Sequence, residues 1–177
     1  MSDLEVRVGT VDDLDEIMRL ALQATDENAF VKPDTSKLLH VIYPALERRT
    51  GIVGVIGEPG GEVLGAVVLQ VGEVWYSSHK VLEEKAIYVD PRHRVSAGGR
   101  STHTIGPARK LAEFAKMVSE QMNMPLAIGV LSNHRTAAKV RFYERIFGEP
   151  AGVYFLYNAK TGLKEEPVDE SQLVKET

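Results

Sequence analysis

The chain has 177 residues, 44% of them hydrophobic and 26% charged, which fits one globular domain with a sizeable core. It contains no cysteine, and this excludes disulfide bonds, a catalytic thiolate and cysteine-ligated zinc. The formal net charge of −4 argues against a nucleic-acid-binding protein, which needs a basic surface. No apolar run approaches the roughly 20 residues that cross a bilayer, and no secretion signal opens the sequence. We therefore expect a cytoplasmic protein without a membrane partner.

The first part of the chain predicts one strand and two helices. The strand is predicted at Glu5–Val8. Thr10 and Asp13 have the spacing of a capping box, and apolar residues then recur at helical intervals, so a first helix begins there. Asp34–Ser36 can cap a second helix. Pro44 is expected to kink or end that helix, because proline lacks the N–H that a helical hydrogen bond requires.

The middle of the chain predicts three strands and a helix. The strands are predicted at Ile52–Ile56, Val63–Val71 and Val81–Val89, and a Pro-Gly-Gly turn makes the first two a hairpin. The third helix is predicted at about Pro107–Met122. Proline suits the first position of a helix, where its missing N–H costs nothing.

The last elements are a strand, a helix and a strand. They are predicted at Pro125–Val130, at Arg135–Phe147 with Gly148 as the C-cap, and at Val153–Tyr157. The order of elements indicates a mixed sheet flanked by helices, in the α/β or α+β class. Its third helix connects two strands as a βαβ unit, and such strands must be parallel.

The domain organisation follows from where this periodicity stops. Residues 1–158 are expected to form a single domain. Residues 159–177 are polar, charged and aperiodic, so we expect them to be a mobile C-terminal tail.

The segment from residue 85 to residue 111 carries the most informative pattern. An apolar strand ends at Asp90-Pro91, a basic loop with glycines follows, and an amphipathic helix opens at Gly106-Pro107. Free backbone N–H groups at a helix N-terminus, flanked by arginines, can hold an anion such as a pyrophosphate. The segment therefore predicts a nucleotide-like cofactor.

The element order and this loop resemble the GNAT superfamily of N-acetyltransferases over about Glu5–Tyr157, and are similar to small acetyltransferases of bacteria and their phages. Val89-Asp90-Pro91 matches the V-x-P-like turn that ends a strand in that superfamily. Phe142-Tyr143-Glu144-Arg145-Ile146-Phe147-Gly148 follows its F-Y-E-[KR]-x-G-[FY] pattern, with the last two residues in the opposite order. The resemblance implies a GNAT-like α/β fold with a central mixed sheet of six to seven strands and about four helices.

The resemblance also implies a reaction. It implies an enzyme that takes acetyl-CoA as co-substrate and moves the acetyl group directly to a primary amine. The acceptor, either a small molecule or a protein, is not specified by the sequence. Dimers are common in the superfamily, so a homodimer or another assembly partner is open.

Two alignments of the pyrophosphate motif, [QR]-x-x-G-x-[GA], compete. The first places Arg94–Gly99 on the motif at the usual distance from Pro91, but Pro107 then falls inside a helix, at a cost of roughly 3 kcal/mol. The second places His103–Ala108 on the motif and makes Arg94–Thr102 an insertion. The position of the proline favours the second alignment.

The resemblance assigns cofactor-binding roles to residues on both sides of this loop. The candidates are Tyr88, Val89, Arg94, Arg100, His103, Thr104, Ile105, Gly106, Ala108, Arg109 and Asn133. Arginines can pair with phosphates. Asn133 either hydrogen-bonds the pantetheine arm or caps the helix that follows it. In the superfamily, backbone N–H groups beside the strand ending at Val89 stabilise the developing oxyanion.

Two residues are candidates for the chemistry. Tyr143 is the candidate general acid that protonates the departing CoA thiolate, although its apolar helical stripe is equally compatible with simple packing. Glu84 is the candidate general base or water-positioning group, and strand alternation places it on one face with Ala86 and Tyr88. An exposed glutamate at a strand end is the alternative. The histidines are scattered, so no metal site is expected.

The competing function is a catalytically degenerate GNAT-like module for binding or assembly, of the kind that a phage could encode. It is motivated by the inserted Arg94–Thr102 segment and by the lack of a compelling base in the sequence.

Overall fold

The computed structural model describes residues 5–28, 30–94, 106–132, 135–155 and 157. In chain order the elements are β1 Arg7–Val8, α1 Leu14–Asn28, α2 Thr35–Leu46, β2 Gly51–Gly57, β3 Val63–Glu73, β4 Lys80–Val89, α3 Pro107–Met122, β5 Leu126–Ala127 and α4 Thr136–Phe147. Short 3₁₀ turns at Val11–Asp13 and Pro91–His93 precede α1 and follow β4. The fold is α/β, as predicted. Within the described ranges, no helix is long and apolar enough to span a membrane.

The strands form one mixed sheet in the order β1-β2-β3-β4-β5. Neighbours from β1 to β4 are antiparallel, and β4 pairs with β5 in parallel. This confirms the predicted β-hairpin and the βαβ unit built by β4, α3 and β5. The described residues contain five strands rather than the six to seven expected.

The strand predicted at Val153–Tyr157 accounts for part of this difference. Residues 153–155 and residue 157 have no strand hydrogen bonding, and the side chains of Tyr154 and Phe155 are 91% and 93% exposed. Alternation and aromatic content gave this segment the composition of a strand, but composition does not supply a partner strand. The predicted tail at residues 159–177 lies outside the described residues.

The sheet separates two hydrophobic clusters. On one face, α1 and α2 bury Ile17, Leu20 and Leu46 against the sheet. On the other face, α3 buries Leu111 and Phe114. Each such side chain contributes roughly 1.5–3 kcal/mol by leaving water, so the two clusters hold the sheet from both sides.

One glycine sets how closely α3 approaches the sheet. A Cβ atom added at Gly54 of β2 would lie 2.6 Å from the ring of Phe114 and 2.9 Å from Val67. No side chain fits in that space without displacing the ring. The Phe114 ring therefore packs directly on the backbone of β2.

The helix boundaries follow local signals. The Thr10 N–H donates to Asp13 at 2.9 Å, which confirms the capping box, and the Lys37 N–H donates to Asp34 at 3.1 Å. Of the two outcomes predicted for Pro44, a kink or an end of α2, the end is wrong, because the helix continues to Leu46. The residues after the proline are buried against β2, and this packing keeps the last turn helical.

A buried aspartate fixes the end of β4. Asp90 is 1% exposed and accepts hydrogen bonds from Arg19 Nη1 at 2.9 Å, from the Arg92 backbone N–H at 3.0 Å and from Arg92 Nη2 at 2.8 Å. Arg19 also donates to the Val63 carbonyl at 3.1 Å. The Arg92 guanidinium, opposed by burial and aided by Arg19, holds the pKa of Asp90 well below its ordinary value. The network ties α1, β3 and β4 together where the chain leaves the sheet.

Candidate active site

Strands β4 and β5 separate soon after they meet. They pair only at Leu82 with Leu126 and at Glu83 with Ala127. The strand predicted at Pro125–Val130 was therefore too long at its C-terminal end, where residues 128–130 are not strand. Their apolar alternation is that of a strand, but the chain diverges, and no strand of the described residues pairs with this edge of β4 beyond Glu83. We call the space beside β4 from Glu84 to Val89 the opening.

A β-bulge lies where the opening begins. Leu69 pairs with Glu84 while its neighbour Val68 pairs with Ala86, so Lys85 is an extra residue in β4. Leu69 faces the α3 cluster and Val68 faces the α1 and α2 cluster. The prediction that Glu84 shares a face with Ala86 and Tyr88 is therefore wrong. The extra residue places Glu84 on the opposite face.

Beyond the bulge, the backbone of β4 presents donors to the opening. The Asp90 N–H donates to the Leu64 carbonyl of β3 at 2.9 Å. Because N–H direction alternates along a strand, the N–H groups of Val89 and Ile87 point the other way, toward the opening. The Val89 carbonyl points there as well, since it accepts a hydrogen bond from Arg94 Nε at 2.8 Å.

Two cavities lie along the opening. The first has a volume of about 400 Å³ and lies between β4, residues 129–132, the end of α1 and α4. The second, of about 470 Å³, lies between the end of β4, the start of α3 and α4. Among the described residues, those that line both are Glu27, Ile87, Tyr88, Lys139 and Tyr143. The cavities are therefore neighbours that share one wall.

Glu84 lines the first cavity. Burial raises the pKa of Glu84 to about 7, although the backbone N–H groups of Gly129 and Ile87 and the charge of Lys85 act against the rise. A carboxyl group with this pKa is part ionised at neutral pH, as a general base must be. Glu84 is therefore not the exposed strand-end glutamate that was the alternative interpretation.

Tyr143 lines both cavities from α4. Its ring centroid lies 5.2 Å from that of Phe142 and 6.0 Å from that of Phe147. Burial, and then the negative charge of Glu84, raise the pKa of Tyr143 well above its ordinary value, so the hydroxyl keeps its proton at neutral pH. The two residues proposed for chemistry are thus brought to one cavity.

The predicted cofactor residues divide into two groups. The second cavity is lined by Tyr88, Val89, Arg94, Gly106, Ala108 and Arg109. Arg100, His103, Thr104, Ile105 and Asn133 lie outside the described residues, and their roles stay predictions.

The start of α3 agrees with the second alignment of the pyrophosphate motif. Gly106 is the N-cap of α3, and Pro107 occupies its first position. Arg109 pairs with Glu113 at 2.8 Å and remains largely exposed. The N-terminus of the helix therefore meets the second cavity with its backbone N–H groups, where an anion is stabilised.

Two residues that line both cavities, Glu27 and Lys139, were not predicted from the sequence. Glu27, at the end of α1, accepts hydrogen bonds from Arg94 at 2.7 Å and from the Tyr88 hydroxyl at 3.1 Å. Lys139 Nζ of α4 lies 4.0 Å from the same carboxylate. Burial lowers the pKa of Lys139. Charged residues on amphipathic helices carry no sequence signal that separates a cavity wall from a solvated face.

Solved structures with the same architecture include acetyltransferases. A possible acetyltransferase from Clostridium difficile 630 superposes with a TM-score of 0.62 at 19% identity, over 86% of this chain and 95% of that one. A ribosomal-protein-alanine N-acetyltransferase from Brucella melitensis biovar Abortus 2308 gives 0.58 at 16% identity, over 86% and 96%. An aminoglycoside acetyltransferase from an uncultured soil metagenomic sample gives 0.59 at 18% identity, over 89% and 97%.

These similarities confirm the GNAT-like fold that the sequence motifs implied. The sequence itself matches no protein-family model and no curated protein.

Proposed function

Because the chain has the fold of the GNAT acetyltransferases, we propose that it transfers an acetyl group from acetyl-CoA directly to a primary amine. The observation that carries the proposal is the opening between β4 and residues 128–132. There, the N–H groups of Ile87 and Val89 face a space that Glu84 and Tyr143 also line, and the Ile87 N–H donates to the Glu84 carboxylate. Hydrogen-bond donors, a base and an acid are the parts that acyl transfer needs.

The second cavity fits the phosphate-bearing end of CoA. Arg94 lies on one side of it, and Gly106 and Ala108 at the N-terminus of α3 lie on the other. A guanidinium and a helix N-terminus both stabilise phosphate charge. The small residues let a ligand approach the backbone closely.

When bound, acetyl-CoA supplies an acyl group activated as a thioester. The Val89 N–H holds the carbonyl oxygen and stabilises the charge that develops on it, while the Ile87 N–H orients the Glu84 carboxylate. Such preorganised donors are usually the largest electrostatic contribution to acyl transfer. The shared wall of the two cavities lets amine and carbonyl meet, which adds the advantage of proximity.

Glu84 accepts a proton from the amine, either directly or through one water. A primary ammonium has to lose a proton before it becomes a nucleophile. A carboxylate with a pKa of about 7 takes up that proton far better than an exposed glutamate with its ordinary pKa near 4.5.

Tyr143 donates a proton to the departing sulfur. Its raised pKa makes it a reluctant donor while Glu84 is charged. Once Glu84 has taken the amine proton, that charge is gone and the pKa of Tyr143 falls, although burial, the larger cause, still keeps it raised. Uptake of a proton by Glu84 therefore favours its release by Tyr143.

Calorimetric titration with acetyl-CoA and CoA, followed by turnover assays on a panel of primary amines, tests the proposal. We expect binding, release of CoA thiol only when an amine is present, and thermal stabilisation of about 2.7 kcal/mol at 100 times the Kd. Absence of binding at millimolar acetyl-CoA would refute it. Binding without turnover on any amine would favour the alternative of a catalytically degenerate module.

A further inference from the structure

Glu27 lies in the wall between the two cavities, and its carboxylate is held by several donors. Arg94 donates to it from Nη1 at 3.2 Å and from Nη2 at 2.7 Å, and the Tyr88 hydroxyl donates at 3.1 Å. Lys139 Nζ is 4.0 Å away. The Glu27 side chain is only 21% exposed, so these groups replace most of the hydrogen bonds that its carboxylate would make with water.

Arg94 is the partner that can leave. Its side chain is 36% exposed, and it lines the second cavity but not the first. Its guanidinium carbon lies 4.8 Å from the centre of the Tyr88 ring. The planar guanidinium fork pairs with a phosphate as well as with a carboxylate. A diphosphate in the second cavity therefore competes with Glu27 for Arg94.

We propose that Glu27 determines acceptor specificity by binding a second cationic group of the amine acceptor, once the phosphates of CoA have drawn Arg94 away. The proposal rests on the proposed function, since it concerns the same two substrates. A largely buried carboxylate that loses its arginine is left poorly compensated. A cation that enters from the first cavity restores the lost pairing, while Tyr88 keeps the carboxylate in place.

The cation bound by Glu27 is not the amine that reacts. The reacting amine has to become neutral, and Glu84 serves that step. Burial raises the pKa of Glu27, but Arg94 above all, with Tyr88 and Lys139, brings it below its ordinary value, so Glu27 is ionised while Arg94 is paired with it. Only a group that remains positive can replace Arg94 as the partner that keeps this carboxylate charged. The acceptor class is thus a diamine, a polyamine or a peptide amine with a neighbouring basic side chain.

The first test measures competition for Arg94 without any turnover. CoA is titrated calorimetrically into the wild type, Glu27→Gln and the control Glu62→Gln. Glu62 pairs with Arg92 at 2.7 Å and lines neither cavity, so the control removes a similar ion pair elsewhere. We expect Glu27→Gln to bind CoA several-fold more tightly than the wild type, because Arg94 is released, and the control to match the wild type. A merely structural role for Glu27 would weaken CoA binding instead.

The second test measures the acceptor. Pentane-1,5-diamine and pentan-1-amine are titrated into the wild type and Glu27→Gln, each with and without saturating CoA. With CoA, the wild type should prefer the diamine by about tenfold, the worth of one charge-assisted contact. Without CoA that preference should be much smaller, and Glu27→Gln should show none. By linkage, the diamine should tighten CoA binding by the same factor by which CoA tightens diamine binding.

The outcomes separate this inference from the proposed function. Wild-type protein that binds CoA and acetylates amines, while Glu27→Gln neither tightens CoA binding nor loses a diamine preference, overturns the role of Glu27 alone. Wild-type protein that binds no CoA overturns both. Circular dichroism of each variant verifies that it is folded.

Discussion

Glu84 of β4 and Tyr143 of α4 line one cavity, and after burial it is the negative charge of Glu84 that raises the pKa of Tyr143. Protonation of Glu84 should therefore lower the pKa of Tyr143, although burial keeps it raised. In the proposed mechanism, a proton that enters at the carboxylate thus favours the loss of another from the phenol.

The first prediction concerns the pH dependence of turnover. Glu84 must be ionised to act as a base, and its pKa is about 7, so kcat/KM should rise with pH through about 7. Glu84→Gln should remove this limb of the profile and lower kcat/KM by about 10²-fold. The matched control is Glu83→Gln, since Glu83 is the adjacent glutamate, pairs with Lys85 and lines neither cavity. An unchanged pH limb in Glu84→Gln would assign the group of pKa 7 to another residue.

The second prediction concerns stability at the same position. The folded-state pKa of Glu84 lies above the ordinary 4.5, so between pH 4.5 and 7 the unfolded chain ionises first and the folded state loses stability. Each pKa unit corresponds to about 1.4 kcal/mol. The free energy of unfolding of Glu84→Gln, relative to that of the wild type, should therefore be higher at pH 8 than at pH 4.5. Urea unfolding at both pH values measures the difference. A difference that does not vary with pH would contradict the burial of this carboxyl group.

The third prediction separates chemistry from packing at Tyr143. Tyr143→Phe keeps the ring between Phe142 and Phe147 and removes only the hydroxyl. We expect kcat to fall by about 10²-fold, with the Kd of CoA and the melting temperature little changed. Tyr76→Phe, at an exposed position outside both cavities, is the control. Wild-type kcat in Tyr143→Phe would show that the tyrosine only packs.

The fourth prediction tests the network that fixes the end of β4. Asp90→Asn removes the charge that Arg19 and Arg92 surround. The expected loss is about 2 kcal/mol, below the usual figure for a fully buried pair because both arginines reach water. The pKa of Asp90 lies below its ordinary 3.8, so its contribution is complete above about pH 4 and is lost as the pH falls further.

Urea unfolding at pH 7 and pH 3 checks this expectation, with Asp12→Asn as an exposed control. The deficit of Asp90→Asn should shrink at pH 3. Circular dichroism is the suitable signal, because the only tryptophan, Trp75, is 95% exposed and its fluorescence would change little on unfolding. Equal deficits at the two pH values would mean that charge is not what Asp90 contributes.

The fifth prediction tests the close approach of α3 to the sheet. Gly54→Ala places a methyl group 2.6 Å from the Phe114 ring, and such overpacking costs about 1–3 kcal/mol. Phe114→Leu removes ring atoms from the same space. The double variant should therefore be more stable than the sum of the single changes predicts, as a double-mutant cycle would measure. Strict additivity would mean that Gly54 and Phe114 do not share this space.

The helices could be predicted from the sequence because their signals are local. The capping box at Thr10, the cap at Asp34, the proline at position 107 and Gly148 after α4 each act within one turn of the helix that they bound. The signature around Tyr143 indicated the superfamily for a similar reason, since its residues are contiguous in the chain.

The site could not be predicted in the same way, because it depends on how separate strands pair. Lys85 is an extra residue only by comparison with β3, so no pattern within β4 discloses the bulge. The sequence does not reveal the divergence of the chain after Ala127 either, since residues 128–130 alternate like those of a paired strand. Glu27 becomes informative only when Arg94, 67 residues later in the chain, comes to lie against it.

Within the part of the chain that the structure describes, no strand pairs with β4 beside the opening, and this has a consequence for how the sheet exchanges with solvent. Amide protons in the middle of a sheet are ordinarily among the slowest to exchange with deuterium. In this chain Val89 should be an exception. Its amide should exchange quickly, while the amides of Tyr88 and Asp90, which point toward β3, should exchange slowly. Occupation of the opening should then slow that single strand end more than any other part of the sheet, so deuterium uptake would locate a ligand before its identity is known.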